Sequence, residues 1–339
     1  MLVPELNKYF MCYNKIQIFN PRSKRFIYVP CGHCIPCVRR KVRDRVIRLT
    51  EEFKDPKNRQ VFFCTFTYNE DNLPWIEFEI ETRWGFTKTV VKSVFNRRDL
   101  QLTIKRIRKY YEKYYHINFR IFYCGEYGKK SNRPHFHALF FSPLVIDRDE
   151  FRRVVSNKWT LGFTKTDLAD SGSAWYVSKY VVPVVSDNSV LDKLPREFKP
   201  FCQSPKHLGF NYLSSENVNR FKSYIITKEY EKICYQLPYH NSVVSVPLPP
   251  PFFRTIFTEA EREAYTSYYI GQGQKEVERR LKELEYLKYN DELRCSSGFQ
   301  SSSLESSFNG FLRRERIELD KQLYSDQLWL RDSSKNEVI

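Results

Sequence analysis

The run Pro-His-Phe-His-Ala-Leu-Phe-Phe at residues 134–141 constrains this chain more than any other segment. It is apolar and aromatic and is bounded by an Arg-Pro pair, which favours a strand over a helix. Strand side chains alternate between faces, so His135 and His137 project the same way, about 6.6–7 Å apart along the backbone. At that separation two imidazoles can share one ion, or they can simply be hydrogen-bonded fillers of a strand face.

A second aromatic and β-branched run, Phe-Arg-Ile-Phe-Tyr-Cys-Gly-Glu at residues 119–126, precedes it, and the intervening residues 127–134 have turn composition. Pairing the two runs as an antiparallel hairpin sets Glu126 against His135 on the first rung, with backbones about 4.5–5.5 Å apart. Glu126, His135 and His137 then converge on one spot. Three protein ligands with open positions suit a catalytic divalent ion, and the mixed nitrogen and oxygen set admits Mg, Mn or Zn. The plainer role for Glu126 is a solvated charge at a strand end.

Downstream, residues 175–183 read Trp-Tyr-Val-Ser-Lys-Tyr-Val-Val-Pro, with Ser173 available as a helix N-cap. On a helix Tyr176 and Tyr180 emerge on one face a turn apart, and Lys179 shares their neighbourhood. A phenol is a poor nucleophile at neutral pH, but a nearby ammonium or metal ion stabilises the phenolate and makes attack feasible. Tyrosines at this spacing also commonly anchor a helix onto a sheet.

The order of these motifs resembles a known family. An aromatic strand with Thr-x-Thr (Thr65, Thr67), a His-hydrophobe-His strand and a Tyr-x-x-Lys-Tyr helix is similar to the rolling-circle replication initiators of the HUH endonuclease superfamily. The paired tyrosines bring it nearest the initiators of microviruses, and the Pro-Cys-Gly-His-Cys-Ile-Pro-Cys segment resembles the gokushovirus-like branch. The likeness covers roughly residues 10–185. It implies that His135, His137 and Glu126 hold a Mg or Mn ion that polarises the scissile phosphate. It implies further that Tyr176 attacks to give a 5′-phosphotyrosine and a free 3′-OH, that Tyr180 acts when a round of replication ends, and that Lys179 supports phenolate or leaving-group charge. Relatives with two tyrosines often carry a second lysine where this chain has Pro183, which favours Tyr176 with Lys179 as the active pair.

Lysine and arginine number 56 against 40 acidic residues, a formal charge of +16 that suits a polyphosphate partner. The N-terminus lacks a signal-peptide apolar region, and no apolar stretch approaches the roughly 18 residues that cross a bilayer, so a cytoplasmic protein is expected, in the host bacterium if the resemblance holds. Nine cysteines without a secretory signal argue against a disulfide framework. Cys31, Cys34 and Cys37, with Cys12 upstream, have the spacing of a structural zinc site, of an iron–sulfur cluster, or of reduced thiols. After them, residues 38–49 form a helix with Val38, Val42, Val46 and Leu49 on one stripe and a basic opposite face that can grip a nucleic-acid backbone. Residues 97–115 form a second basic helix.

The expected fold is α+β: an antiparallel sheet with a central His-x-His hairpin and flanking helices, HUH endonuclease-like, plus a mainly helical C-terminal region. Its strands are expected at 60–68, 119–126, 134–142 and near 162–167, with a helix at 148–159 before the tyrosine helix. The parts are a Cys-rich segment and basic helix (1–57), a nicking and joining domain (58–190), a connecting region (191–250) and a helical accessory region (251–339). Residues 247–251 read as a stiff proline linker, Thr258 and Glu261 as a capping box, and Val277, Leu281, Leu284 and Leu287 as an apolar stripe. The serine-rich residues 296–307 read as a loop.

The expected function is nicking and rejoining of origin DNA in rolling-circle replication. Its partners are single-stranded and origin DNA, with the C-terminal part available to a host helicase or to oligomerisation. A different reading is a non-enzymatic, zinc-containing nucleic-acid-binding protein whose histidines and tyrosines are core residues. A third is a metal-dependent hydrolase without a covalent intermediate.

Overall fold

The computed structural model describes residues 12, 15–21, 24–32, 34–81, 84–128, 131–169, 193–239 and 242–296. The chain divides into two compact units, Val29–Ser214 and a second made of Met1–Tyr28 with Ser215–Ile339. Strands β1 (Ile16–Asn20) and β2 (Arg25–Val29) form a two-stranded sheet. Helix α1 (Ile35–Lys54) begins with a proline in its first turn, where no backbone hydrogen bond is lost. It buries the expected Val38, Val42, Val46 and Leu49 and runs beyond the anticipated 38–49 at both ends.

Next come β3 (Gln60–Tyr68), β4 (Trp75–Glu81), β5 (Thr87–Ser93), α2 (Arg97–Tyr115), β6 (Arg120–Tyr127) and β7 (Pro134–Ser142). They are followed by α3 (Arg148–Lys158), β8 (Gly162–Leu168) and β9 (Phe201–Gln203). Five strands form one antiparallel sheet in the order β8-β3-β7-β6-β9, while β4 and β5 pair as a separate ribbon. The anticipated hairpin is β6–β7, and its register sets Glu126 opposite His135 and Cys124 opposite His137.

Strand alternation gives the sheet two different faces. Phe62, Phe66, Ile121, Phe136 and Phe140 point to one, where Leu100, Ile104, Ile107 and Tyr111 of α2 and Phe151, Val154 and Val155 of α3 complete the main core. Phe62 stacks on Phe151 with centroids 3.9 Å apart. On the other face Val61, Phe122, Cys124, Leu139 and Phe141 pack with Leu49 and Phe53 of α1 and with Leu208. The buried Glu52 carboxylate fixes α1 there, accepting from the Arg120 guanidinium (Nη2, 3.1 Å) and from the Gly209 amide at 2.7 Å. Removing one partner of such a buried pair typically costs about 3–5 kcal/mol. The apolar cluster under α1 takes up one half of this face, and the rungs at the other half carry Thr65, Thr67, Glu126, His135 and His137.

In the second unit, helix α4 (Ser215–Ile226) precedes a hairpin of β10 (Cys234–Tyr239) and β11 (Ser242–Pro247). Helices α5 (Pro250–Ile256) and α6 (Glu259–Ser296) follow. The proline run is therefore not a linker: Pro247 closes β11 and Pro250 opens α5, positions where proline sacrifices no required N–H. The capping box forms as expected, with the Thr258 amide donating to Glu261 at 2.7 Å and the Glu261 amide donating back at 3.4 Å. Lys222 of α4 pairs with the same carboxylate at 2.9 Å. Val277, Leu281, Leu284 and Leu287 fall on α6. Residues 297–307 of the serine-rich stretch lie outside the described residues, and among those described no helix is long and apolar enough to cross a membrane.

Candidate metal centre

The sheet register decides which side chains meet. Thr67, His135 and Glu126 occupy one rung across β3, β7 and β6, and Thr65, His137 and Cys124 occupy the next on the same face. The rungs bring a Glu126 carboxylate oxygen and a ring nitrogen from each histidine within 4.8 Å of one another. Glu126 Oε1 lies 2.7 Å from His135 Nε2 and 3.2 Å from His137 Nε2.

Each imidazole is held by its other nitrogen. His135 Nδ1 donates to the Arg133 carbonyl at 3.1 Å, and His137 Nδ1 meets the Thr65 hydroxyl at 3.0 Å. Phe63 lies nearly parallel to the His137 ring, with centroids 5.4 Å apart and 12° between planes. Since Nδ1 of His135 carries a proton, Nε2 of the neutral ring presents a lone pair to the carboxylate oxygen. Two lone-pair atoms 2.7 Å apart are held together by positive charge between them, either a proton on Nε2 or a bound cation. The donor set therefore fits a divalent ion, with hydrogen-bond partners that fix ring orientation as metal-bound histidines require. Burial raises the Glu126 carboxyl, but the hydrogen bonds from His135 and His137 outweigh it and hold the group below its ordinary value, as an anion. Side-chain exposure grades from 6% at His137 through 13% at Glu126 to 19% at His135, so the centre opens toward solvent on the His135 side.

A second group is built by thiols. Cys31, Cys34 and Cys37 bring their sulfurs within 4.8 Å of one another. Gly32 turns the chain between them with φ +81°, a conformation that a side chain would strain. The Cys34 amide donates to the Cys31 sulfur at 3.3 Å, and Cys34 caps α1, so the helix dipole also favours thiolate there. Cys12, the fourth expected ligand, belongs to the other unit. All described cysteines are free of disulfides, as expected.

Tyr176, Lys179, Tyr180 and Pro183 lie outside the described residues. Sequence reasoning assigned no work to Thr65 beyond its motif, nor to Phe63 or the Arg133 carbonyl. The signal for Thr65 and Phe63 was present, since alternation along β3 puts them on the histidine face once β3 pairs with β7.

Residues 61–183, from β3 through the tyrosine segment, match the family model for replication-associated proteins of the ORF2 type. The chain is 24% identical over 269 residues to replication-associated protein ORF2 of Spiroplasma virus 4, covering 75% of each chain. It is 27% identical over 216 residues to replication-associated protein VP4 of Bdellovibrio phage phiMH2K, covering 58% of this chain and 61% of that one. Its identity to replication-associated protein ORF4 of Chlamydia phage 1 is 22% over 174 residues, covering 47% and 39% respectively. No solved structure matches. The resemblance to phage replication-associated proteins that the motifs suggested thus stands on matches to the sequence itself.

Proposed function

We propose that this chain is a replication initiator with an HUH endonuclease-like catalytic sheet, which nicks and rejoins the origin of a circular DNA genome. The observation that carries the proposal is the convergence of Glu126, His135 and His137 on one open sheet face, within the segment matched to the replication-associated family. A Mg or Mn ion held by these three side chains supplies positive charge that polarises a phosphate. Thr65 and the Arg133 carbonyl keep the imidazoles oriented toward Glu126. The Tyr176 phenolate attacks the scissile phosphorus; its oxygen forms the new P–O bond, the bond to the 3′ oxygen breaks, and that oxygen takes a proton to become the 3′-OH primer. Lys179 stabilises negative charge on phenolate or leaving group, and Tyr180 performs the second attack that rejoins ends. With Pro183 in place of a second lysine, the two tyrosines are unequal. Cys31, Cys34 and Cys37 hold a structural zinc, with Cys12 the fourth ligand suggested by the sequence.

The test uses the full chain, labelled single-stranded fragments of its own genome, and Mg or Mn. Wild type forms a protein–DNA adduct on a denaturing gel. His135→Ala and His137→Ala lose nicking but keep DNA binding, because charge elsewhere supplies affinity. Tyr176→Phe loses most of the adduct, whereas Tyr180→Phe forms it and fails to release circles. Nicked DNA with no adduct would replace the proposal with a simple hydrolase, and binding without nicking would replace it with a non-enzymatic DNA-binding protein.

A further inference from the structure

Beside the metal centre, on the edge strand β8, one aromatic ring stands apart from the others of its sheet. Phe62, Phe66, Phe122, Phe136, Phe140 and Phe141 are all buried, whereas Phe163 is 70% exposed. Register explains where it points. Phe163 is opposite Thr67, which is opposite His135, which is opposite Glu126, so all four share a rung and a face. Lys165, with 81% of its side chain exposed, likewise shares the rung of Thr65 and His137. At two strand spacings, β8 runs about 9.5 Å from the histidine strand.

The ring is presented on a firm support. Immediately before it, Gly162 has φ +154°, and a Cβ there would stand 2.2 Å from the Thr67 carbonyl oxygen, so β8 lies against β3 more closely than any other residue permits. Trp159 Nε1 donates to that same carbonyl at 3.2 Å. Lys165 pairs with Asp167 at 3.7 Å, but both are exposed, and such pairs exchange readily for a stronger anion. A bare phenyl ring two residues from an exposed ammonium matches a ligand with flat apolar faces joined by negative charges, the description of unpaired nucleotides.

We infer that Phe163 and Lys165 form the substrate-strand platform of this site: Phe163 stacks on a base flanking the scissile phosphate, and Lys165 contacts the adjoining backbone. The inference rests on the proposed nicking activity and adds the residues that seat the strand. Phe163 here is a binding residue, with no part in the bond-making step.

Binding of fluorescent oligothymidylate to the metal-free full chain, followed by anisotropy, reads the platform apart from catalysis. Phe163→Ala is expected to weaken binding about 5-fold or more. Phe163→Tyr should restore it, and Phe163→Leu, which keeps apolar bulk but lacks a flat ring, should not. Lys165→Gln should reduce the slope of log affinity against log salt by about 0.7, the value for one phosphate contact on a single strand. In nicking assays Phe163→Ala should raise KM and leave kcat near wild type. Unchanged affinity in Phe163→Ala, or full rescue by Phe163→Leu, would overturn the inference. If wild type never nicks while these binding effects persist, the platform stands and the nicking reading falls.

Discussion

Replacing Thr65 by valine isolates the contribution of one hydroxyl to the metal centre. Valine keeps the branched shape and the strand preference, so the change is confined to the 3.0 Å contact with His137 Nδ1. A neutral hydrogen bond is worth about 0.5–1.5 kcal/mol net, and groups that hydrogen-bond the far nitrogen of a metal-bound histidine typically contribute about 10–100-fold in affinity. Tenfold corresponds to about 1.4 kcal/mol, already near the ceiling for one such bond. The parallel Phe63 ring goes on restraining the imidazole after the hydroxyl is gone, which argues for the low end. Thr65→Val should therefore bind Mn about tenfold more weakly in isothermal titration of the full chain, and nicking should recover at raised Mn. His137→Ala, which deletes a ligand, should not recover. Wild-type Mn affinity in Thr65→Val would refute the orienting role, and a loss as complete as that of His137→Ala would mean the hydroxyl does more than orient.

Two further outcomes concern charge and the thiol group. Burial raises and the imidazole hydrogen bonds lower the Glu126 carboxyl, with the bonds prevailing, so its contribution to stability is complete above the ordinary value of 4.5 and fades as pH falls through the lower folded-state value. Glu126→Gln should flatten the acid limb of stability against pH in metal-free urea unfolding, and an unchanged limb would remove that linkage. Native mass spectrometry of protein purified without chelator should show one zinc that survives replacement of both His135 and His137; a metal-free mass would dismiss the structural-zinc proposal.

How much was legible varied with how locally each element is determined. The His-x-His strand, its partner and the Glu126–His135 rung follow from periodicity and a short turn, and β6–β7 has that register. The ribbon β4–β5 went unread although Ile76, Phe78 and Ile80 alternate with Glu77, Glu79 and Glu81 as strand residues do. Strand β9 had no such signal, because three residues pairing at Tyr123–Gly125 acquire strand geometry from β6 alone. The prolines at 247–251 misled because composition cannot distinguish a stiff linker from a strand end followed by a helix start. Phe163 could not be singled out among 27 phenylalanines until pairing showed which face each one occupies.

Both histidines belong to β7, which has hydrogen-bonded neighbours on either side, and Glu126 to β6, bonded to β7 and β9. Ligands carried on a loop could drift apart while the rest of a protein stayed folded, but inner strands are among the last segments of a domain to open. The spacing of these three side chains is thus inherited from the cooperativity of the sheet, and the site comes apart only as the sheet does. Evolution can then vary the edges at β8 and β9, changing which strand of nucleic acid is received, without loosening the centre between them.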